Sequence, residues 1–497
     1  MNTNIYVAID LGSSRISALA AEVLDNGLLR IIGDESKASD DIKHGVVEQV
    51  SGAAFKVNEI VKLLQNSSRI ADIDFVSVSI GAKSMKHYPV SVNRFVGSTN
   101  IVSDSLIAEM RSFCKAKVQG ENVYVYDVIP LYYELDGKRV NNPIGLKATQ
   151  ITGKYNAVYG NIKIKDEIQR CFERTGISLE YLPIAAETLS TAVLDAKDRE
   201  NGCAIINLGA TTTTLSVYKE DALQKLLVVP LGGYNITKDI QELGINEANA
   251  ERLKCLKGSA LESMVDNPIY IQIPAADLNN DDVRISTKFL SKIIEARLDE
   301  ILKPIFNEIE LMKSSLASGV IISGGGSKLN YLTNYIAEKT GLEVKFGIHN
   351  EWLDENTNEK YFDTRYSQLI GTIILSHENR LLNPLEKKIE SGNKNKLPRK
   401  GLKERITDTV IKFFGDENKF DDTNGAENKE NQTEKSEDSE KQTLQENEND
   451  NYLVTSKINM NLFINTLTNK LHNFIDQSRL INIGYNPKKT KTYGIFR

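Results

Sequence analysis

Ile5-Tyr-Val-Ala-Ile-Asp-Leu-Gly-Ser-Ser14 is the stretch of this chain that decides the fold. It is an apolar strand that runs into a turn with an acid, a glycine and two hydroxyls. Far along the chain, Ala204-Ile-Ile-Asn-Leu-Gly-Ala-Thr-Thr-Thr-Thr214 repeats this plan. A second strand is predicted after each turn, over 16–23 and 215–218, so each loop should close a hairpin. Glycine lets backbone N–H groups approach a phosphate, and small hydroxyls add donors. The pair therefore predicts a nucleotide held between duplicated domains.

Composition places the chain among soluble globular proteins with a charged tail. The 497 residues are 40% hydrophobic and 26% charged, with a formal net charge of −6. A chain of this length should divide into several domains. Residues 415–451 hold 13 Asp and Glu against 4 Lys and Arg, a net of −9, so the remainder carries +3. This near-neutral remainder does not predict a nucleic-acid-binding protein.

Cysteine usage and hydropathy predict a cytoplasmic protein. The four cysteines form no CxxC pair, and we expect buried free thiols in a reducing compartment. The five histidines show no metal-ligand spacing. No apolar run approaches the roughly 20 residues that span a bilayer. The N-terminus enters a strand directly, without a signal-peptide pattern.

Two further segments complete the pattern of the ordered region. Residues 83–165 alternate strands around one helix, which predicts a small α+β module inserted into the first domain. A helical stretch is predicted over 234–257. Residues 319–329 read as a strand, three glycines and then a helix, an arrangement that can approach an anion or a nucleobase.

The three loops together resemble the motifs of the actin-like ATPase superfamily. Asp10-Leu-Gly-Ser-Ser resembles its phosphate-1 motif, Asn207-Leu-Gly-Ala-Thr-Thr its phosphate-2 motif and Ser323-Gly-Gly-Gly-Ser-Lys-Leu its adenosine motif. Residues 184–192 stand where the superfamily places its interdomain connecting helix.

Within that superfamily, the chain resembles the FtsA family of bacterial cell-division proteins. Val128-Ile-Pro-Leu-Tyr-Tyr-Glu-Leu-Asp-Gly-Lys, followed by Asn142-Pro-Ile-Gly-Leu, is similar to the signature of the subdomain inserted in FtsA. Leu231-Gly-Gly-Tyr-Asn-Ile-Thr-Lys-Asp-Ile is similar to its Gly-Gly…Asp-Ile segment. Glu251-Arg-Leu-Lys254 is similar to the Glu-x-x-Lys that meets adenosine.

The resemblance implies an α/β, actin-like two-domain ATPase fold built from duplicated ribonuclease-H-like domains, with an inserted small α+β subdomain. A disordered tail with amphipathic helices should follow. The implied boundaries are 1–82, 166–197 and 360–390 for subdomain 1A; 83–165 for the inserted 1C-like subdomain; 198–233 and 299–359 for 2A; 234–298 for 2B; 391–414 for a linker and a basic amphipathic helix; 415–451 for a disordered acidic linker; and 452–497 for an amphipathic, basic C-terminal segment.

The resemblance also implies ATP and Mg²⁺ as cofactors. Asp10 would approach the metal through water, and Glu187 would orient the attacking water, as phosphoryl transfer requires. The residues implied to contact the nucleotide are Asp10, Gly12, Ser13, Ser14, Arg15, Asn207, Gly209, Ala210, Thr211, Thr212, Gly232, Gly233, Glu251, Lys254, Gly324, Gly325, Gly326 and Lys328. Simpler readings stay open for four of these residues: a solvated strand residue for Arg15, a surface ion pair for Glu251 with Lys254, and a helix-dipole charge for Glu187.

The second loop departs from the family pattern at two positions. Asn207 stands where the family has Asp, so the negative charge that supports a hydrated metal is lost. Thr211 stands where the family commonly has Gly. We therefore expect ATP binding with slow turnover, below roughly 1 s⁻¹, and at most a slow ATPase.

The C-terminal region carries two apolar stripes at helical spacing. The first combines an apolar face with basic neighbours, a pattern typical of a helix lying on an anionic membrane. Its members are Leu402, Ile406, Val410, Phe413 and Phe414, with Lys400, Lys403 and Arg405 beside them. A docked surface helix is the alternative. The second stripe, within 456–497, could be a second anchor or a protein-binding element.

By resemblance, the protein should polymerise on the cytoplasmic face of the inner membrane at the division site. It should bind the FtsZ C-terminal peptide through 234–298, tether FtsZ filaments and recruit other division proteins. A PilM-like scaffold for pilus assembly is the alternative, and an actin-fold small-molecule kinase is a weaker one because no acceptor motif stands out. A 70-kDa heat-shock chaperone would need a β-rich domain for which the tail leaves no room.

Overall fold

The computed structural model describes residues 4–382 except 69, 71, 98–99, 278–280 and 349. The chain divides into two units, Met1–Asn395 and Lys396–Arg497, and every described residue belongs to the first. Both apolar stripes predicted in the C-terminal region, and the acidic linker between them, therefore lie outside the described residues.

The elements of the first half follow the predicted alternation of strands and helices. In chain order they are β1 (Ile5–Leu11), β2 (Arg15–Val23), β3 (Leu29–Ala38), β4 (Ile42–Lys43), β5 (Val46–Val47), α1 (Val50–Ser68), β6 (Phe75–Val78), β7 (Lys86–Phe95), α2 (Asp104–Lys117), β8 (Val123–Leu135), β9 (Lys138–Val140), β10 (Gln150–Asn161), α3 (Lys163–Thr175), β11 (Ser178–Tyr181), α4 (Ala185–Val193) and α5 (Ala196–Asn201).

The second half is built in the same way. Its elements are β12 (Cys203–Leu208), β13 (Thr213–Lys219), β14 (Ala222–Val229), α6 (Gly233–Gln241), α7 (Glu247–Lys257), β15 (Tyr270–Ile273), β16 (Val283–Ser286), α8 (Thr287–Met312), β17 (Val320–Ser323), α9 (Leu332–Thr340), β18 (Val344–Phe346) and α10 (Ser367–Leu382).

Two five-stranded sheets share one topology. The first has the order β3-β2-β1-β6-β11 and the second the order β14-β13-β12-β17-β18. In each sheet the first three strands are antiparallel, and the last two run parallel to the central strand. The prediction of duplicated α/β domains is thereby confirmed.

A third sheet, of order β7-β10-β8-β9, is inserted between β6 and β11. It is antiparallel throughout and has its own small apolar core against α2. Its strand β8 and helix α2 confirm the inserted α+β module. The exact subdomain boundaries stay predictions.

The helices cover the sheets with their apolar faces. Helix α1 buries residues such as Val57, Ile60 and Leu64 against the first sheet. Helix α4 lies in the chain between the last strand of the first sheet and the first strand of the second, and α10 packs on it and on β1. Both predicted hairpins are present, because Leu11 pairs with Ile16 and Leu208 pairs with Thr213.

The helical stretch predicted over 234–257 is present and consists of two helices. Helix α6 ends at Gln241, and Gly244 adopts a φ of 87°, which few other residues tolerate. Asn246 then caps α7 by accepting a hydrogen bond from the N–H of Asn249 at 2.8 Å. The Gly and Asn were visible in the sequence as stop and start signals.

The cysteine prediction is confirmed for three of four residues. Cys114, Cys171 and Cys203 are buried free thiols, whereas Cys255 is exposed on α7. Among the described residues, no helix combines the length and apolar character that crossing a bilayer requires.

Candidate nucleotide site

The two hairpin loops meet each other between the domains. The first loop contains Gly12, Ser13 and Ser14, and the second contains Gly209, Ala210, Thr211 and Thr212. The Thr211 hydroxyl donates a hydrogen bond of 2.8 Å to Oγ of Ser13. Two loops that the sequence places far apart are thus in direct contact.

Where the two loops meet, four backbone N–H groups are available to donate hydrogen bonds to a ligand. The N–H groups of Ser13, Ser14, Ala210 and Thr211 have no hydrogen-bond acceptor within the described part of the chain. Ser13, Ala210 and Thr211 are partly exposed, and Ser14 is exposed. Clustered free amides beside hydroxyl groups can bind an anion such as a phosphate.

Asp10 lies in β1 immediately before the first loop. The carboxyl is only partly accessible, and desolvation raises its pKa to about 6. A buried carboxylate without a cationic partner gains from a nearby metal ion. Among the described residues, no group of three or more His, Cys, Asp or Glu residues forms a metal cage. A metal here would therefore keep water and ligand oxygens, as Mg²⁺ usually does.

Asn207 stands at the equivalent place in the second hairpin, where the triple-glycine loop approaches it. Gly324 has a φ of 83°, and a Cβ there would lie 2.4 Å from Oδ1 of Asn207. Only glycine fits this approach. The structure therefore brings the predicted phosphate-2 and adenosine loops together.

The space between the domains beside Asn207 is small. A cavity of about 30 Å³ is lined by Ala185 and Ala186 on one side and by Asn207, Thr214 and Ser216 on the other. Small-molecule sites usually have about 300–1,000 Å³. None of residues 12–14 or 209–212 lines this cavity, so it is separate from the space at the two loops.

The start of α6 is capped by the second loop. The N–H of Gly233 donates to the carbonyl of Gly209 at 3.0 Å, and that of Tyr234 donates to the carbonyl of Ala210 at 2.7 Å. These bonds satisfy helix N–H groups that have no partner within the helix. Both carbonyl oxygens lie beside Gly232, where a Cβ would be 2.5 Å from that of Gly209 and 2.7 Å from that of Ala210.

Glu251 and Lys254 form a small network at the same helix. The Lys254 ammonium group donates to Glu251 at 2.6 Å, to the carbonyl of Gly233 at 2.9 Å and to the Thr237 hydroxyl at 2.8 Å. Burial alone would raise the pKa of Glu251, but Lys254 and Thr237 hold it below its usual value. Both residues thus lie close to the second loop. Their contact with a nucleotide stays a prediction.

The triple-glycine loop is tied to the segment that returns to the first domain. Ser327 Oγ lies 3.0 Å from Oγ1 of Thr364, and Lys328 forms an ion pair with Asp363. Burial opposes ionisation of Asp363, yet Arg365 and Lys328 lower its pKa to about 2. Gly325 and Gly326 lie between these contacts, and neither Thr364 nor Asp363 was found from the sequence.

The side chain of Glu187 forms a hydrogen bond away from the two hairpin loops. The Tyr218 hydroxyl lies 3.1 Å from Oε1 of Glu187, and desolvation raises the pKa of Glu187 to about 7. Tyr218 is four residues beyond Thr214 on β13, about 13 Å along the strand. This contact does not bring Glu187 to the loops, and its role in orienting water stays a prediction. Arg15 is exposed at the start of β2.

Sequence reasoning missed His44, which lies between β4 and β5. The backbone N–H of His44 donates to the Thr211 hydroxyl at 3.0 Å, and the ring Nδ1 of His44 lies 2.8 Å from the Thr211 carbonyl oxygen. The signal available was a His-Gly pair between two very short strands, which indicates only a tight turn.

Comparisons with known proteins show similarity to one family of cell-division proteins. A family model described as "Cell division protein FtsA" matches residues 204–371. The cell division protein FtsA of Borreliella burgdorferi is 26% identical over 406 residues, which are 80% of this chain and 96% of that protein. The cell division protein FtsA of Escherichia coli K12 is 25% identical over 395 residues, covering 76% of this chain and 91% of that protein.

A solved structure shares the fold. The structure titled "PilM-PilN type IV pilus biogenesis complex" superposes with a TM-score of 0.55, covering 75% of this chain and 98% of that chain. Its sequence identity is 12%, so this likeness shows the fold alone. The actin-like fold predicted from the sequence is confirmed.

Proposed function

We propose that this chain, which is similar to FtsA cell-division proteins over most of its length, is an actin-like member of that family, binds ATP with Mg²⁺ and assembles at the division site. There it would form filaments on the cytoplasmic face of the inner membrane, tether FtsZ filaments and recruit other division proteins. The observation that carries the proposal is the meeting of two loops with free amides and hydroxyls between duplicated domains. The likeness to the pilus protein is one of fold and does not favour a pilus role.

Nucleotide binding is supported by the chemistry of the loop residues. The free amides of Ser13, Ser14, Ala210 and Thr211 suit phosphate oxygens. Asp10 would hold a hydrated Mg²⁺, which offsets the negative charge of the phosphates. Glu251 and Lys254 would face the ribose and base, since both lie beside the start of α6.

Turnover should be slow because this chain offers little negative charge around the metal. Asn207 is neutral where the first hairpin has Asp10. The hydrogen bond of Glu187 to Tyr218 holds its carboxyl group toward the far end of β13. The proposed role of ATP is therefore to control assembly, not to drive a metabolic reaction.

The surface of residues 234–298 is suited to bind a short apolar peptide. Ile269 and Tyr270 at the β15–β16 hairpin and Phe289 at the start of α8 are each more than half exposed. The Arg284 guanidinium lies 4.5 Å from the centre of the Tyr270 ring. Exposed aromatic and arginine side chains are frequent binding hot spots. We propose that the FtsZ C-terminal peptide binds here.

Membrane attachment is proposed for the basic apolar stripe over 399–414, outside the described residues. Five apolar side chains at roughly 1.5–3 kcal/mol each, before the cost of ordering them, give reversible binding. Stable attachment then requires many copies acting together, as in a filament.

Vesicle flotation tests the membrane part of this proposal. The full chain is compared with a chain ending at Asn395, using vesicles of phosphatidylethanolamine with phosphatidylglycerol. We expect only the full chain to float, and added salt to weaken its binding. If neither protein floats with ATP present, the tail is not an anchor, and a cytosolic scaffold becomes the better description.

A further inference from the structure

Thr211 makes three contacts that join the two domains at the loops. Its hydroxyl donates to Oγ of Ser13 at 2.8 Å and accepts from the N–H of His44 at 3.0 Å. Its carbonyl oxygen lies 2.8 Å from Nδ1 of His44. Because a carbonyl oxygen can only accept, Nδ1 carries the proton in this contact. Both the side chain and the backbone of Thr211 are therefore held by the first domain.

His44 is firmly supported within that domain. Its carbonyl oxygen accepts a hydrogen bond of 3.0 Å from the N–H of Lys83. The next residue, Gly45, lies so close to the end of β6 that a Cβ would be 1.8 Å from the carbonyl oxygen of Gly81. The backbone of His44 is thus held in place within the first domain, and its contacts with Thr211 anchor the second loop there.

We propose that Thr211 is a latch that keeps the two loops together in the absence of nucleotide, and that a nucleoside triphosphate must open it. This inference rests on the proposed function, because it takes the phosphates to enter between the loops. The Thr211 hydroxyl has one hydrogen to donate. Phosphate oxygens that enter between the loops would replace Ser13 as the acceptor of that hydrogen, so their entry would break the bond between Thr211 and Ser13.

The latch is a property of the side chain of Thr211. Glycine, which the family resemblance favours at this position, would lose both hydroxyl contacts and keep only the carbonyl contact with His44. The Thr211 side chain thus forms a contact between the two loops that a glycine at this position could not form.

Stopped-flow binding of an ATP labelled with a fluorophore on the ribose tests the latch. Thr211→Val has nearly the same shape but has no hydroxyl, so it loses both bonds. We expect its association rate to rise about tenfold, which corresponds to about 1.4 kcal/mol. Thr211→Ser is the matched control, because it keeps the hydroxyl and should bind near the wild-type rate. Ser13→Ala added to Thr211→Val should give no further increase, since both remove one shared bond.

Amide hydrogen exchange without nucleotide gives a second, independent measurement. The N–H of His44 is bonded to the Thr211 hydroxyl, so its exchange should accelerate in Thr211→Val and stay slow in Thr211→Ser. Cooperative thermal unfolding of each variant would confirm that it is folded.

Three results would overturn the inference, and they differ from one another. If the labelled ATP dissociates faster from Thr211→Val but associates at the wild-type rate, the Thr211 hydroxyl only contacts bound phosphate. Unchanged exchange at His44 means that no latch exists, whether or not ATP binds. If folded wild-type and Thr211→Val proteins both fail to bind the labelled ATP, the proposed nucleotide site fails, and the latch loses its ligand.

Discussion

Asp10 and Asn207 occupy the same position in two hairpins of equal register. Asp10 pairs with Ser17 across the first hairpin, and Asn207 pairs with Thr214 across the second. Each is the second-to-last residue of its strand and precedes a glycine loop. The duplicated fold thus places a carboxyl group on one side of the site and a neutral amide on the other.

Asn207→Asp should raise the ATP turnover rate. The carboxylate has nearly the shape of the amide, so it fits beside Gly324, and it restores a negative charge that supports a hydrated metal. We expect at least a tenfold increase in kcat, equivalent to about 1.4 kcal/mol of barrier. A phosphate-release assay at saturating ATP and Mg²⁺ measures this rate.

Asn207→Ala is the control for that experiment, because it removes the amide without adding charge. It should not raise turnover above the wild-type level. Equal rates for Asn207→Asp and the wild type would contradict the view that the missing charge limits hydrolysis.

Asp10→Asn should stabilise the empty protein at neutral pH. Burial raises the pKa of Asp10 from 3.8 to about 6, so the folded state holds this proton more tightly than the unfolded state. The free energy of unfolding therefore falls as the pH rises from about 4 to 6, and the loss is complete above that window. At pH 7.5 we expect the variant to be more stable by roughly 1–3 kcal/mol. The difference should disappear near pH 4.

Urea unfolding of both proteins at pH 4 and pH 7.5 measures this difference. Asp25→Asn, in the exposed turn after β2, controls for the loss of one acidic charge. A stability difference of equal size at both pH values would show that the burial of the Asp10 charge is not its cause.

Tyr270→Ala should weaken binding of the FtsZ C-terminal peptide at least tenfold. The Tyr270 ring is 65% exposed and stacks with Arg284, so its removal takes away an accessible aromatic contact without disturbing the core. Fluorescence anisotropy of a labelled peptide measures the Kd. Phe55→Ala on α1 is the matched control, because that ring is 64% exposed in the first domain. A larger loss in Phe55→Ala than in Tyr270→Ala would place the peptide site in the first domain.

Gly371→Ala should destabilise the fold although alanine favours helices. Helix α10 packs so closely on α4 that a Cβ at 371 would lie 1.7 Å from the carbonyl oxygen of Thr188. We expect a loss of about 1–3 kcal/mol from the forced shift of backbone, against about 1 kcal/mol gained from helix propensity. Chemical denaturation should show a net loss of stability. Gly325→Ala, whose Cβ would have no neighbour within 4 Å, is the control for stability. A net gain in Gly371→Ala would mean that the helices can separate at little cost.

Much of the architecture could be predicted from the sequence because it depends on neighbouring residues. The strand–glycine–hydroxyl pattern before Ser14 and Thr212 predicted both hairpins, and both are present. The inserted module was visible as a change in the pattern of strands. The break between α6 and α7 also had local signals in the sequence, Gly244 and Asn246.

The residues themselves therefore determined which loops are predicted to bind phosphate, because glycine and hydroxyl chemistry acts over a few positions of the chain. Only the tertiary structure decided that Thr211 meets Ser13 and His44, and that Tyr218 binds Glu187. It also decided that burial raises the pKa of Asp10, whereas Lys254 and Thr237 lower that of Glu251. These outcomes depend on the packing of two domains, and therefore on distances and desolvation between residues that are far apart in the sequence.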